Sequence, residues 1–204
     1  MTYRVAEIFA GLEGEGHNPG TPTVRVRLQG CSVACKLRKV CDQQEALDPG
    51  GGSAMSLEAI LERVLGFDGG LPHPYPWVSI SGGEPLEQVI EPLIWALQER
   101  GKRVRVETSG LPRRLEGPVD YIRVSPKEPK PLRTKQDWGL ELSVVWTGVE
   151  DLPAWEAFGQ FAMRTLQPLW RPDGSSNVAE VLRICQERPI WQASIQLHKY
   201  LGIP

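Results

Sequence analysis

Residues 77–108 read WVSISGGEPLEQVIEPLIWALQERGKRVRVET. Trp77–Ser81 and Arg103–Thr108 are short β-rich runs, and Pro85–Arg100 between them has a helical apolar pattern closed by Gly101. Pro85 suits a first helical position, whereas Pro92 interrupts the pattern. The same alternation extends outward in both directions. Strands are expected at Tyr3–Phe9, Thr23–Gln29, Tyr121–Ser125, Glu141–Trp146, Phe161–Leu166 and Trp191–Leu197. Helices are expected at Ser56–Leu65, with Ser56 as N-cap and Gly66 as stop, and at Pro153–Gly159 and Ser175–Glu187. Strands alternating with helices predict an α/β fold with a mainly parallel sheet. Helices are fewer than strands, so a full eight-fold barrel does not fit. An incomplete, TIM-like barrel of parallel strands, with some crossovers replaced by loops, does. In Thr23–Gln29, Val24, Val26 and Leu28 share one face and Arg25 and Arg27 the other.

The chain has 204 residues with a net charge of −2, which suits one domain spanning residues 1–204 and gives no broad basic face for nucleic acid. Hydrophobic residues make up 41% and charged residues 24%, a globular balance. With 21 Gly and 18 Pro, turns and loops are many. No apolar run approaches the ~18 residues of a membrane span, and Met1–Phe9 is not a signal core, so a soluble cytoplasmic protein without disulfides is expected.

Cys31, Cys35 and Cys41 lie within eleven residues, while Cys185 stands alone in a helical segment beside Leu182 and Ile184 and reads as a small buried hydrophobe. Three clustered thiols suit a metal centre better than a disulfide framework. Spacing alone leaves an iron–sulfur cluster, zinc and free thiols all open, since no second CxxC knuckle completes a structural zinc site. Gly82-Gly83-Glu84-Pro85 after a strand suits close approach of backbone to a ligand, although an ordinary strand-to-helix turn reads the same way. Six chemically distinctive segments fall at expected strand ends: the cysteines, Ser81-Gly82-Gly83-Glu84-Pro85, Glu107-Thr108-Ser109-Gly110, Ser125-Pro126-Lys127, Gln167-Pro168 and Gln196-Leu197-His198-Lys199. In parallel α/β folds those ends converge on one face, where ligands bind.

A Cx3C, a third Cys and a following GGEP resemble the radical S-adenosylmethionine superfamily. Glu7-Ile8-Phe9, Leu12-Glu13-Gly14-Glu15-Gly16, Val26-Arg27-Leu28-Gln29-Gly30-Cys31, Leu166-Gln167-Pro168 and the ending Gln196–Pro204, with the segments above, narrow the resemblance to the 7-carboxy-7-deazaguanine synthase family, in order from about residue 6 to the last residue. That resemblance implies a radical SAM type of partial barrel and a C–N lyase activity. A reduced 4Fe–4S cluster would cleave S-adenosylmethionine to a 5′-deoxyadenosyl radical. That radical would take hydrogen from C6 of 6-carboxy-5,6,7,8-tetrahydropterin, and ring contraction with loss of ammonia would give 7-carboxy-7-deazaguanine, the entry to queuosine and other 7-deazapurines. It further implies a homodimer, an electron donor such as flavodoxin, and neither nucleic-acid nor membrane partners.

Carried over position by position, the resemblance makes Cys31, Cys35 and Cys41 the cluster ligands. Val40, Cys41, Asp42, Gly83, Glu84, Glu107 and Ser125 to Lys127 match positions around S-adenosylmethionine. Leu12, Glu13, Gly14 and Ser81 match positions that hold the pterin, and His198 and the carboxylate of Pro204 match its C-terminal contacts. Arg27 matches the residue facing the pterin carboxylate, for which a planar guanidinium is the natural partner. His17 and His73 read as loop residues without a role. Two departures stand out. Five residues, Lys36 to Val40, separate the second and third cysteines where the family has two, and the family's Cys-Asp-Thr is Cys41-Asp42-Gln43. That Thr is a Mg²⁺ ligand in relatives; the longer Gln43 amide is a weaker one, so Mg²⁺ is left open. The competing readings are a glycyl-radical activating enzyme, which would lack the Glu13–Gly16 and His198-Lys199 motifs, and a non-catalytic zinc module.

Overall fold

The computed structural model describes residues 1–202. Nine strands form one sheet in the order β3-β1-β2-β4-β5-β6-β7-β8-β9: β1 (Thr2–Leu12), β2 (Pro22–Leu28), β3 (Ser53–Ser56), β4 (Trp77–Gly82), β5 (Arg103–Thr108), β6 (Tyr121–Val124), β7 (Trp138–Trp146), β8 (Gln160–Pro168) and β9 (Gln192–Ala193). From β2 to β9 all neighbours are parallel, while β1 runs antiparallel to both β2 and β3. The sheet does not close, because β3 and β9 form its two edges.

Alternation on each strand sorts the sheet into two chemically different faces. Val24, Val26 and Leu28 of β2, Val78 and Ile80 of β4, Val104 and Val106 of β5, Ile122 and Val124 of β6 and Leu142 and Val144 of β7 are all buried in one apolar core. Helices α1 (Leu57–Gly66) and α2 (Glu91–Gln98) supply Ile60, Leu61, Val64, Leu93, Ile94 and Leu97 to that core, and α3 (Leu152–Ala157) and α4 (Val178–Glu187) supply Trp155, Val181 and Ile184. Burial of such side chains contributes roughly 1.5–3 kcal/mol each, so this face anchors the fold. The opposite face carries Arg25, Ser79, Arg105, Glu107, Tyr121, Arg123, Glu141, Ser143 and Thr165, with Arg25 beside Ser79, Arg105 beside Tyr121, and Glu107 beside Arg123, which neighbours Glu141.

Two expected elements differ, and one strand was not expected. The helix expected over Pro85–Arg100 is a single 3-10 turn, Pro85–Glu87, followed by a break and then α2. The Gln88 side chain donates to Arg4 and Gln29 carbonyls and fixes the break, and Pro92 has no N–H to continue a helix but is well placed in the first turn of a new one. The strand expected over Trp191–Leu197 pairs only at Gln192 and Ala193, after which Leu197 N–H turns to the Gly14 carbonyl and α5 (Leu197–Leu201) begins. Strand β3, unforeseen because SAMS has no alternating apolar pattern, is recruited to the edge by β1, where Tyr3 pairs with Met55.

Candidate functional site

All six of the segments singled out at strand ends contribute to one cavity of about 240 Å³. Cys31, Cys35 and Cys41 line it, with Ser81 to Glu84, Glu107 to Ser109, Ser125, Lys127, Gln167, Pro168, Gln196 and His198. Of the residues carried over from the resemblance, Val40, Asp42, Arg27 and Gln43 also belong to this wall. Leu12, Glu13 and Gly14 do not; they lie beside and beneath it. Pro204 falls outside the described residues.

The Gly82-Gly83 turn exists because the cysteine loop packs directly on it. Gly82 has φ of 120°, and a Cβ on Gly83 would stand 2.6 Å from the Ala46 carbonyl oxygen and closer still to that of Gly30. Gly83 N–H donates to the Leu28 carbonyl and Glu84 N–H to that of Gly30, the residue before Cys31. Glu84 is 3% exposed, and its carboxylate accepts from the Leu86 and Ser109 N–H groups and from the Thr108 and Ser109 hydroxyls. The glutamate therefore ties the turn after β4 to the end of β5.

The cysteines are free thiols, each partly exposed. Leu37 N–H donates to Cys35 Sγ at 3.3 Å and Gln43 N–H to Cys41 Sγ at 3.5 Å. Burial pushes the Cys31 thiol up. Among the described residues, no three His, Cys, Asp or Glu side chains converge to share one metal ion, as a tetrahedral zinc requires. Thiols spread around one cavity and receiving backbone N–H bonds fit a larger iron–sulfur cluster, in which each iron takes one thiolate. Cys185 packs on the apolar core instead, as expected.

A charged layer forms the floor of the cavity: three guanidiniums, Arg25, Arg105 and Arg123, against four carboxylates, Glu13, Glu15, Glu107 and Glu141, of which Arg25, Arg123, Glu15 and Glu107 line it directly. Glu13 is 1% exposed and pairs with Arg25 at 2.9 Å and with Arg105. Arg123 reaches Glu15 at 2.7 Å, Glu141 at 3.5 Å and Glu107 at 3.9 Å, and donates to Ser143 and Gln167. Burial alone raises a carboxyl, but Arg123 beside Glu15 holds it down at about 2. Glu107 has no close pairing of its own; burial and the Glu13 carboxylate push it up to about 7, against Arg123 and Arg25. Burial and then Glu141, which accepts its hydroxyl hydrogen, raise Tyr121.

The C-terminal segment closes one side. Ser194 Oγ accepts from Gly16 N–H, and His198 packs on Gly14, whose Cα leaves no room for a Cβ. Gln196 Nε2 bridges Glu15 at 3.1 Å and Asp42 at 2.9 Å, and Lys199 pairs with Asp42 at 2.5 Å. Arg27, part-buried, is held by Glu7 at 2.5 Å and lies 4.9 Å over the Phe9 ring. It also borders a second cavity of about 670 Å³ lined by Glu7, Gln43, Glu45 and Lys199. Sequence reasoning missed Arg123 and the bridging roles of Glu15 and Gln196. The signal was present for Arg123, an arginine between Ile122 and Val124 in the same alternation that marked Arg25 and Arg27. His17, read as a residue without a role, gives only its backbone N–H to Glu141 and a ring contact to Gln192.

No family model matches the chain. A protein named 7-carboxy-7-deazaguanine synthase from Burkholderia multivorans is 35% identical, with all of both chains covered. Proteins of the same name from Caulobacter vibrioides and Nitratidesulfovibrio vulgaris are 35% and 34% identical, again over the full length of both chains. Among solved structures, that of QueE from Escherichia coli superposes with a TM-score of 0.74 at 26% identity, covering 96% of this chain and 94% of that one. Full-length similarity to relatives bearing one name, joined to a shared fold, shows that the chain belongs to the 7-carboxy-7-deazaguanine synthase family.

Proposed function

We propose that the chain is a radical S-adenosylmethionine enzyme, a C–N lyase that converts 6-carboxy-5,6,7,8-tetrahydropterin to 7-carboxy-7-deazaguanine with loss of ammonia, in the formation of queuosine and other 7-deazapurines. The observation that carries this reading is the single cavity in which the three clustered cysteines, the Gly82–Glu84 turn, Arg27 and His198 meet. The open sheet, parallel from β2 to β9 with its polar face under that cavity, suits a partial TIM-like barrel forming one domain over residues 1–204. When bound, a 4Fe–4S cluster and S-adenosylmethionine supply an adenosyl radical that removes a hydrogen atom.

The chain's own residues then have defined tasks. Cys31, Cys35 and Cys41 would hold the cluster, and with three thiolates for four irons one iron would remain for S-adenosylmethionine. The Gly83 and Glu84 backbone, Val40 to Asp42, Glu107 and Ser125 to Lys127 surround that cofactor. Lys127, whose Nζ donates to Ser125 Oγ at 2.8 Å, adds positive charge to the wall. Arg27 takes the pterin carboxylate, and Ser81, His198 and the Leu12–Gly14 backbone beside the wall complete its pocket. Glu13, paired with two arginines beneath the wall, acts by holding Arg25 and Arg105 in place. A homodimer, cytoplasmic location and a flavodoxin-like electron donor complete the proposal. The test is anaerobic turnover of carboxytetrahydropterin with S-adenosylmethionine and reductant by the iron-reconstituted protein. Equimolar 7-carboxy-7-deazaguanine and ammonia are expected from catalytic S-adenosylmethionine, because substrate and product differ by NH3 alone and the hydrogen atom taken must be returned; no product with a loaded cluster would overturn the assignment.

A further inference from the structure

Two buried side-chain atoms in the wall between the cavities lack any partner: Nε of Arg27, a donor, and Oε1 of Gln43, an acceptor. Their surroundings are otherwise settled. Arg27 is fixed by Glu7 through Nη1 and by Phe9 beneath its plane. Gln43 is fixed by its backbone N–H on Cys41 Sγ, and the neighbouring Asp42 carboxylate is occupied by Gln196 and Lys199. Buried donors and acceptors left unmet are costly, and a ligand carrying the matching groups removes that cost. Both residues line both cavities, so one ligand seated between them meets them with an acceptor for Arg27 and a donor for Gln43. A carboxylate with a vicinal N–H does this.

On the functional reading above, the geometry points to Gln43 as a specificity residue that reads the reduction state of the pterin, its amide oxygen accepting the N5–H next to the carboxylate held by Arg27. In the tetrahydropterin, C6 bears the carboxylate and adjacent N5 bears a hydrogen. In oxidised 6-carboxypterin, N5 is a bare lone pair that faces the Gln43 oxygen with like charge. Anchoring the carboxylate and N5 also fixes C6 between them, the carbon whose hydrogen is to be removed. Gln43 thereby fills a role distinct from metal ligation at the position where relatives have Thr.

The experiment is anaerobic calorimetry of the cluster-loaded enzyme without reductant, so that nothing turns over, using 6-carboxytetrahydropterin, 6-carboxypterin and unsubstituted pterin. The wild type should prefer the tetrahydro form by about tenfold or more, one hydrogen bond with its partner left unmet. Gln43→Leu should bring that preference within about threefold by weakening the tetrahydro form alone. Gln43→Glu, which keeps an acceptor oxygen, should retain the preference while weakening both carboxylated ligands, and it decides the matter if Gln43→Leu loses iron. An unchanged preference in Gln43→Leu, or a preference that vanishes on chelation and returns with Mg²⁺, would overturn the inference. Should the wild type bind neither carboxylated ligand better than pterin, or Arg27→Gln leave their binding unchanged, the reading of Arg27 fails instead.

Discussion

Replacing Glu84 by Ala removes the carboxylate that joins the turn after β4 to the end of β5. Its oxygens accept from Leu86 N–H at 3.1 Å, Thr108 Oγ1 at 2.5 Å, Ser109 N–H at 2.8 Å and Ser109 Oγ at 2.5 Å. Bonds to a charged acceptor contribute roughly 1.5–3 kcal/mol apiece, but four on one carboxylate do not add. The two hydroxyls can rotate to other acceptors; the two N–H groups cannot. Two donors stranded in a dry site at roughly 1–3 kcal/mol each, with a small cavity besides, put the loss at about 3–5 kcal/mol. For a chain of this size about 2–4 °C per kcal/mol makes the fall in Tm about 6–20 °C. Glu84→Gln keeps the volume and one good acceptor and should lose less than half of that. The assay is calorimetric melting of all three proteins at one pH, with bound iron measured after reconstitution, because Glu84 N–H also holds the Gly30 carbonyl ahead of Cys31. A Glu84→Ala protein melting within about 2 °C of wild type would refute the reasoning.

Ala at Cys31, Cys35 or Cys41 should abolish bound iron and activity together, whereas Cys185→Ala should leave iron content near wild type; loss of iron in the latter would make Cys185 a ligand. Glu107, raised to about 7 from 4.5, binds its proton more tightly when folded, so it contributes stability that is full below about pH 4.5 and is lost as pH rises through about 7. Tm should therefore fall between about pH 4.5 and 7 and level off above it, and Glu107→Gln should flatten that slope and gain up to roughly 3 kcal/mol at pH 8; an unchanged slope would show Glu107 to be ionised throughout. Chelation should reduce turnover less than in relatives that have Thr at the position of Gln43, and a strict Mg²⁺ requirement removed by Gln43→Leu would contradict this.

Much of the sheet was legible because its central strands must place apolar residues on one face, and the alternation in Thr23–Gln29 or Arg103–Thr108 follows directly from that demand. The convergence of cysteines, GGEP and the other strand-end segments was legible for the same reason: parallel strands deliver their C-terminal ends to one place. Tertiary contacts decided what alternation could not. Ser53–Ser56 is a strand only because β1 offers an edge, and Leu197 leaves the strand path because Gly14 takes its N–H. The placing of Glu13 below the cavity was likewise hidden, since Arg25 and Arg105, 80 positions apart in the chain, had to be brought together first.

The charged layer also constrains how this protein can change. Glu13 answers to Arg25 and Arg105, and Arg123 to Glu15 and Glu141, so neutralising one of these singly leaves an uncompensated buried charge behind, Glu107 with no close pairing being the exception. A survey of single variants would score nearly every one of these positions as intolerant. Paired replacements, such as Glu13→Gln together with Arg105→Thr, remove opposite charges in one step and should recover much of what either change loses alone. Divergence in this layer is thus expected to proceed by compensated pairs.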